Sequence, residues 1–309
     1  MNRISLAAVL ALSLAFTARA VEIDINGTIT YNDYAPDNPS NPSGAVSGWD
    51  TGWGSGSVTG WNYVGQISST SGNNGLSATY LGNGWVLTAA HVSPQVGQNF
   101  TLYNGGTTIY YPITNVVAPS MTSVIDGTTY TADLMLFQIG APTGGGTLPN
   151  LPNLTISADN DPPTPLTDSV VMIGHTGGYG ETWGQNTVTD IDQGVGVNSY
   201  GSIDFSTAYT SVGTGNNAIL VSGDSGGGDF IFNSSLGLWT LAGINEAVDN
   251  TPTSPTYNSS YFIQLNAYVD QIDGIIGVPE PGTWSLLGLG LAGLALCRRF
   301  RPRPARVRS

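Results

Sequence analysis

Gly223-Asp224-Ser225-Gly226-Gly227 reads as a tight turn presenting a serine hydroxyl, and two upstream stretches supply what that hydroxyl lacks. Thr88-Ala89-Ala90-His91 closes an apolar strand on a histidine, and Asp133-Leu134-Met135-Leu136-Phe137 opens another on an aspartate. A serine hydroxyl is a poor nucleophile near neutral pH and needs a base within hydrogen-bond reach. A lone histidine after an apolar strand is more often structural, but Thr-Ala-Ala-His followed downstream by an aspartate and a Gly-rich serine turn reverses that reading. The order is His…Asp…Ser, and the common Ser/His/Asp architectures differ in it.

These three motifs resemble the chymotrypsin (trypsin-like) family of serine peptidases over roughly Trp61–Ile276. The resemblance implies an all-β fold of two six-stranded antiparallel β-barrels with a C-terminal helix packed on the second. It implies that His91 takes the Ser225 proton as the serine attacks a scissile carbonyl, and that Asp133 orients the ring and stabilises the imidazolium. The backbone N–H groups of Gly223 and Ser225 would form the oxyanion hole, and Gly226 and Gly227 would leave room for substrate. A protein or peptide is the implied substrate. No cofactor is implied, because no Gly-rich phosphate loop follows a strand and opens a helix. Asp159-Asn160-Asp161 is too short a signal to assign a metal, and His175 in Gly174-His175-Thr176 reads as a turn histidine.

The pattern along the chain agrees with an all-β domain. From Trp61 onward, short β-branched and aromatic runs alternate with Gly and Asn turns. Expected strands are Asn62–Ser68, Leu76–Leu81, Trp85–Thr88, Thr107–Val117, Leu134–Ile139, Ser169–Ile173, Ala218–Val221, Phe230–Phe232 and Trp239–Ile244. Leu265, Tyr268, Val269, Ile272 and Ile276 recur at helical spacing, which predicts a helix over Gln264–Ile276 ended by Gly277. The preceding segment, 21–60, is rich in Gly, Ser, Asn, Pro and Trp and is expected to be partly disordered or draped on the domain.

Three departures from the family pattern bear on function. The sole cysteine, Cys297, lies near the C-terminus, so the fold rests on its core; the stretch Val21–Gly277, 257 residues, is long enough for that. Asp224 is the second: in the family its counterpart meets a new α-amine or an arginine, yet the body contains no lysine or arginine. It must be met by the Val21 amine, by backbone and hydroxyl donors, or by solvent, because an unpaired buried carboxylate is costly. Removal of a leader, not a cut after a basic residue, is the expected activating step. Third, Ile219 stands where an aspartate selects basic side chains in trypsin, and Asn245-Glu246-Ala247-Val248 replaces the usual pocket wall. Ile219 and Glu246 are the candidate substrate-binding residues. They favour an apolar or small side chain, with Glu246 recruiting a basic one as the alternative.

Both ends read as addresses. Residues 1–20 carry Arg3, an apolar run and Ala18-Arg19-Ala20, the pattern of a signal peptide cut before Val21. Residues 278–309 begin Val278-Pro279-Glu280-Pro281, continue through an apolar run and end in six arginines, which resembles a PEP-CTERM sorting signal. That resemblance implies an exosortase-type processing partner and a Gram-negative cell surface or extracellular matrix, with membrane contact only through the C-terminal segment before processing. The apolar run is short against the roughly 20 residues of a spanning helix. All eight basic residues lie in these two ends, and all 21 acidic residues lie between Glu22 and Glu280. Such a field repels nucleic acid and anionic lipid and attracts cationic peptides. A catalytically idle binding or structural module of the matrix, on the same fold, is the second functional reading.

Overall fold

The computed structural model describes residues 21–277, apart from 26–27, 55–57, 69–75, 105–106, 143, 177–179, 211–216 and 250–256. The expected leader, 1–20, and sorting segment, 278–309, lie outside the described residues. Among the described residues no helix is long and apolar enough to cross a membrane.

The lead segment is built into the fold. Strand β1 (Glu22–Ile25) pairs with β2 (Thr28–Thr30) on one side and with a later strand on the other. Further along, Trp49 is fully buried and meets Trp53, Phe230 and Trp239 edge-on, with centroids 4.8, 5.8 and 4.8 Å away. The run of Gly, Ser and Asn in 21–60 hides these apolar anchors in a polar composition, which is why the sequence reads as loose there.

The first barrel follows. Strands β3 (Val64–Ser68), β4 (Ser77–Gly82), β5 (Trp85–Ala89), β6 (Asn99–Asn104) and β7 (Thr107–Val116) precede a separate ribbon, β8 (Thr122–Ile125) and β9 (Thr128–Thr131). Strand β10 (Leu134–Ile139) then closes the ring in the order β10-β5-β4-β3-β6-β7. Its inward face is Ile67, Ala78, Tyr80, Val86, Phe100 and Phe137. Along β7, buried Tyr111 and Ile113 alternate with less buried neighbours, as period-two side chains require, whereas β4 is buried on both faces.

The second barrel uses β11 (Ser169–Thr176), β12 (Gly180–Val197), β13 (Tyr200–Thr210), β15 (Gly228–Asn233), β16 (Leu238–Asp249) and β17 (Tyr257–Gln264), closed in the order β11-β12-β13-β17-β16-β15. The short β14 (Ala218–Ile219) takes the outer place beside β1. Val170, Met172, Val188, Phe205 and Phe262 form the core, and Val21 and Ile23 from the lead segment belong to it. A 3-10 turn, Leu265–Ala267, and helix α1 (Val269–Ile276) follow. The two six-stranded barrels and the C-terminal helix are those expected. The helix begins five residues later than its apolar spacing predicts, because Leu265–Ala267 winds as a 3-10 turn first.

Candidate active site

Antiparallel pairing of β5 with β10 sets Ala89 opposite Leu134 and so brings the residues just beyond them together. The chain turns after Ala89 into a short 3-10 segment, Ala90–Val92, that carries His91. Asp133 lies immediately before β10 and is fully buried. Its backbone carbonyl accepts from Ala90 N–H at 2.9 Å, its Oδ1 accepts from His91 N–H at 2.8 Å, and its Oδ2 stands 2.5 Å from His91 Nδ1. One carboxylate thus holds both the main chain and the ring of the histidine. The geometry fixes the tautomer: Nδ1 donates to Asp133, leaving Nε2 as the lone-pair nitrogen.

The serine comes from the second barrel. Ser225 is half-buried in the turn between β14 and β15, where Gly227 N–H closes on the Asp224 carbonyl at 3.0 Å. Gly223 sits at φ +113°, a backbone setting that glycine adopts without a Cβ penalty. The Ser225 carbonyl accepts from Ser77 N–H of β4 at 2.9 Å, so the turn is stitched to the barrel that carries His91. A Cβ on Gly226 would meet Thr88 Oγ1 at 2.1 Å and the Ser77 carbonyl at 2.2 Å, which shows how tightly the turn presses on β4 and β5. Among the described residues no hydrogen bond joins Ser225 to His91; in unliganded sites such bonds are often long and tighten with substrate.

Asp224, the unresolved residue of the sequence, has an answer in the lead segment. Its Oδ2 accepts from Val21 N at 3.0 Å and from Val221 N–H at 2.8 Å. Gly174 of β11 makes room for the other oxygen: a Cβ there would lie 2.2 Å from Asp224 Oδ1. Val21 and Asp224 are both essentially inaccessible to solvent.

The two expected substrate-binding residues lie in different settings. Ile219 is buried on β14, with Glu22 as its strand partner. Glu246 is buried at an irregularity of β16, where its Oε1 accepts from Ser202 Oγ at 2.9 Å. Ser202 Oγ in turn accepts from Asp133 N–H at 3.0 Å, so Glu246 belongs to the back of the His91–Asp133 couple. Sequence reasoning missed Ser202 and Asp204, and named Asn245 only as the first residue of an altered pocket wall. Asn245 is fully buried; its side-chain amide donates to the Asp224 and Ile173 carbonyls at 3.1 and 3.0 Å, and its backbone carbonyl accepts from Gly226 N–H at 2.9 Å. The signal available for Asn245 was its place directly after the apolar run Trp239–Ile244, where a polar residue continues a buried strand. His175 is a strand residue of β11 opposite Glu181, and burial pushes its imidazole down to about 4.

A family model described as Trypsin matches residues 54–272, and one described as PEP-CTERM protein-sorting motif matches residues 277–299. No curated protein matches the chain.

Proposed function

The chain belongs to the trypsin family, and on that premise we propose that it is an exported serine endopeptidase working through Ser225, His91 and Asp133. The observation that carries the reading is the His91–Asp133 couple, in which a buried carboxylate fixes the imidazole with Nε2 free to act as base. His91 takes the Ser225 proton as the oxygen attacks the scissile carbonyl; the tetrahedral oxyanion is received by the N–H groups of Gly223 and Ser225. His91 then gives the proton to the leaving amine, and a water molecule, activated the same way, hydrolyses the acyl-enzyme. With Ile219 uncharged and Glu246 turned toward Ser202, an apolar or small side chain before the cleaved bond is the favoured substrate feature.

The PEP-CTERM motif marks the chain for export and sorting to the cell envelope. We place leader removal in front of Val21, and the new α-amine on Asp224. Support comes from the 3.0 Å contact of Val21 N with Asp224 Oδ2, and from a body without lysine or arginine to supply another cation. A buried carboxylate so paired avoids the penalty of an isolated charge. Exosortase-type processing near Pro279-Glu280-Pro281 would then detach the body from its C-terminal segment.

Digestion of an unfolded protein and of a peptide library by the exported chain, beside Ser225→Ala, tests the reading. Cleavage after apolar or small residues that disappears in the variant is expected. A folded wild-type chain that cleaves nothing would favour the idle module, the reading to which the absent Ser225–His91 hydrogen bond lends its weight.

A further inference from the structure

Asn245 of β16 grips the backbone on both sides of Ser225 from a position closed to solvent. Its side-chain amide donates one N–H to the Asp224 carbonyl at 3.1 Å and the other to the Ile173 carbonyl of β11 at 3.0 Å. Both partners are acceptors only, so the side chain is locked with its nitrogen toward them. Its backbone carbonyl accepts from Gly226 N–H at 2.9 Å, and its own N–H donates to the Gly227 carbonyl at 2.9 Å. The Ser225 carbonyl, in the same peptide plane as Gly226 N–H, accepts from Ser77 N–H at 2.9 Å.

Peptide planarity turns these contacts into an aim. Among the described residues no peptide bond is cis, and in a trans plane the N–H points opposite to the carbonyl. Holding the Asp224 carbonyl therefore fixes the direction of the Ser225 N–H. Gly227 N–H also closes on that carbonyl at 3.0 Å, but it belongs to the turn and moves with it. The Asn245 amide ties the same plane to two strands of the barrel, β11 and β16. The fold makes room for it: a Cβ on Gly227 would lie 2.5 Å from Asn245 Nδ2 and 2.1 Å from the Ile173 carbonyl. The space at Gly227 is taken by this amide and the strand behind it.

We propose that Asn245 is a positioning residue for the oxyanion hole, its side-chain amide aiming the Ser225 N–H at the developing oxyanion. The inference rests on the peptidase reading above for its consequence in catalysis; the hydrogen bonds stand without it. A pocket-wall role, in which residue 245 meets the substrate side chain, makes the opposite kinetic prediction.

Asn245→Leu keeps the volume and removes both donors. Peptide hydrolysis by the exported chain is measured beside binding of a peptide boronic acid, whose tetrahedral serine adduct places an oxygen in the oxyanion hole. A peptide amide of the same sequence, which forms no adduct, is the control. In the variant kcat falls by about 10², toward the loss caused by removing an oxyanion donor outright, and KM is unchanged. Affinity for the boronic acid falls by the same factor while that for the amide holds, as an interaction made only in the transition state requires. Asn245→Val, a strand-forming residue with no donor, carries the same test should Asn245→Leu not fold.

Unchanged kcat and boronic acid affinity in a folded variant overturn the inference and leave the peptidase reading intact. A raised KM and weaker amide binding at constant kcat overturn it too, as the mark of a pocket wall. A wild-type chain that neither hydrolyses peptide nor binds the boronic acid sinks the peptidase reading, and crystal structures of wild type and variant then decide the rest. A rotated Asp224–Ser225 peptide in the variant upholds the aim; an unrotated one overturns it.

Discussion

At the scale of single residues, the site depends on contacts that each fix one atom. Asp133→Asn exchanges an acceptor for a donor at His91 Nδ1 and would favour the wrong tautomer; hydrolysis should fall by roughly 10⁴ at neutral pH with little change in KM. Gly174→Ala tests the lead-segment contact without touching the triad. Its Cβ would stand 2.2 Å from Asp224 Oδ1, so the carboxylate must leave its place beside Val21. Release of the turn carrying the Gly223 and Ser225 N–H groups should lower kcat by about 10² or more, the usual effect of losing an oxyanion donor. A chain that retains one extra residue before Val21 should show the same loss, read by N-terminal sequencing beside peptide hydrolysis. Full activity in that extended chain would remove the amine from the account.

At the scale of elements, the lead segment carries weight that its composition conceals. Trp49 is fully buried against Phe230 of β15 and Trp239 of β16, and Trp239 donates its indole N–H to the Gly48 carbonyl at 3.1 Å. Trp49→Ala should lower stability by about 3–5 kcal/mol, as large-to-small changes at buried aromatics do, measured as a shift in urea midpoint at constant slope. Leu134–Ile139 was legible to the residue because it is an apolar run, interrupted only by Gln138, bounded by an aspartate and a glycine. Strand β12 was not: Gly-Glu-Thr-Trp-Gly-Gln-Asn-Thr gives no alternation of apolar and polar residues, and its Cα partners come from β11 and β13 across the barrel. His91, Asp133 and Ser225 could be read as a set because their chemistry is written in local motifs. The Val21 amine could be named only as one of three possible partners for Asp224, and Ser202 could not be read at all, since it acquires its role only when barrel closure brings it to a partner far along the chain.

For the molecule as a whole, the absence of lysine and arginine from the body forces protons to do the work of counter-ions. Burial raises Glu181, Asp229 and Glu246 well above the carboxylate range and Asp204 to about 7, with Asp224 and Asp204 adding to the rise at Asp229. A carboxyl group with a raised folded value binds more protons in the folded state; its contribution is complete below the unfolded value near 4 and is lost as pH climbs through the folded value. His175, lowered to about 4, works the other way, losing stability as pH falls from about 6.5 toward 4. Four carboxyl groups outweigh one imidazole. The melting temperature should therefore be higher near pH 5.5 than near pH 8.5, and Asp204→Asn should flatten the part of the decline that lies between about pH 4 and pH 7. A stability maximum on the alkaline side would contradict this.

On the proposed reading, the two barrels bring a competent serine, base and oxyanion hole together once the leader is gone. Labelling of the exported chain with a fluorophosphonate probe, beside Ser225→Ala and His91→Ala, tests it most directly. One probe per folded molecule, lost in both variants, is the predicted result. A folded wild-type chain with its N-terminus at Val21 that takes up no probe would contradict it.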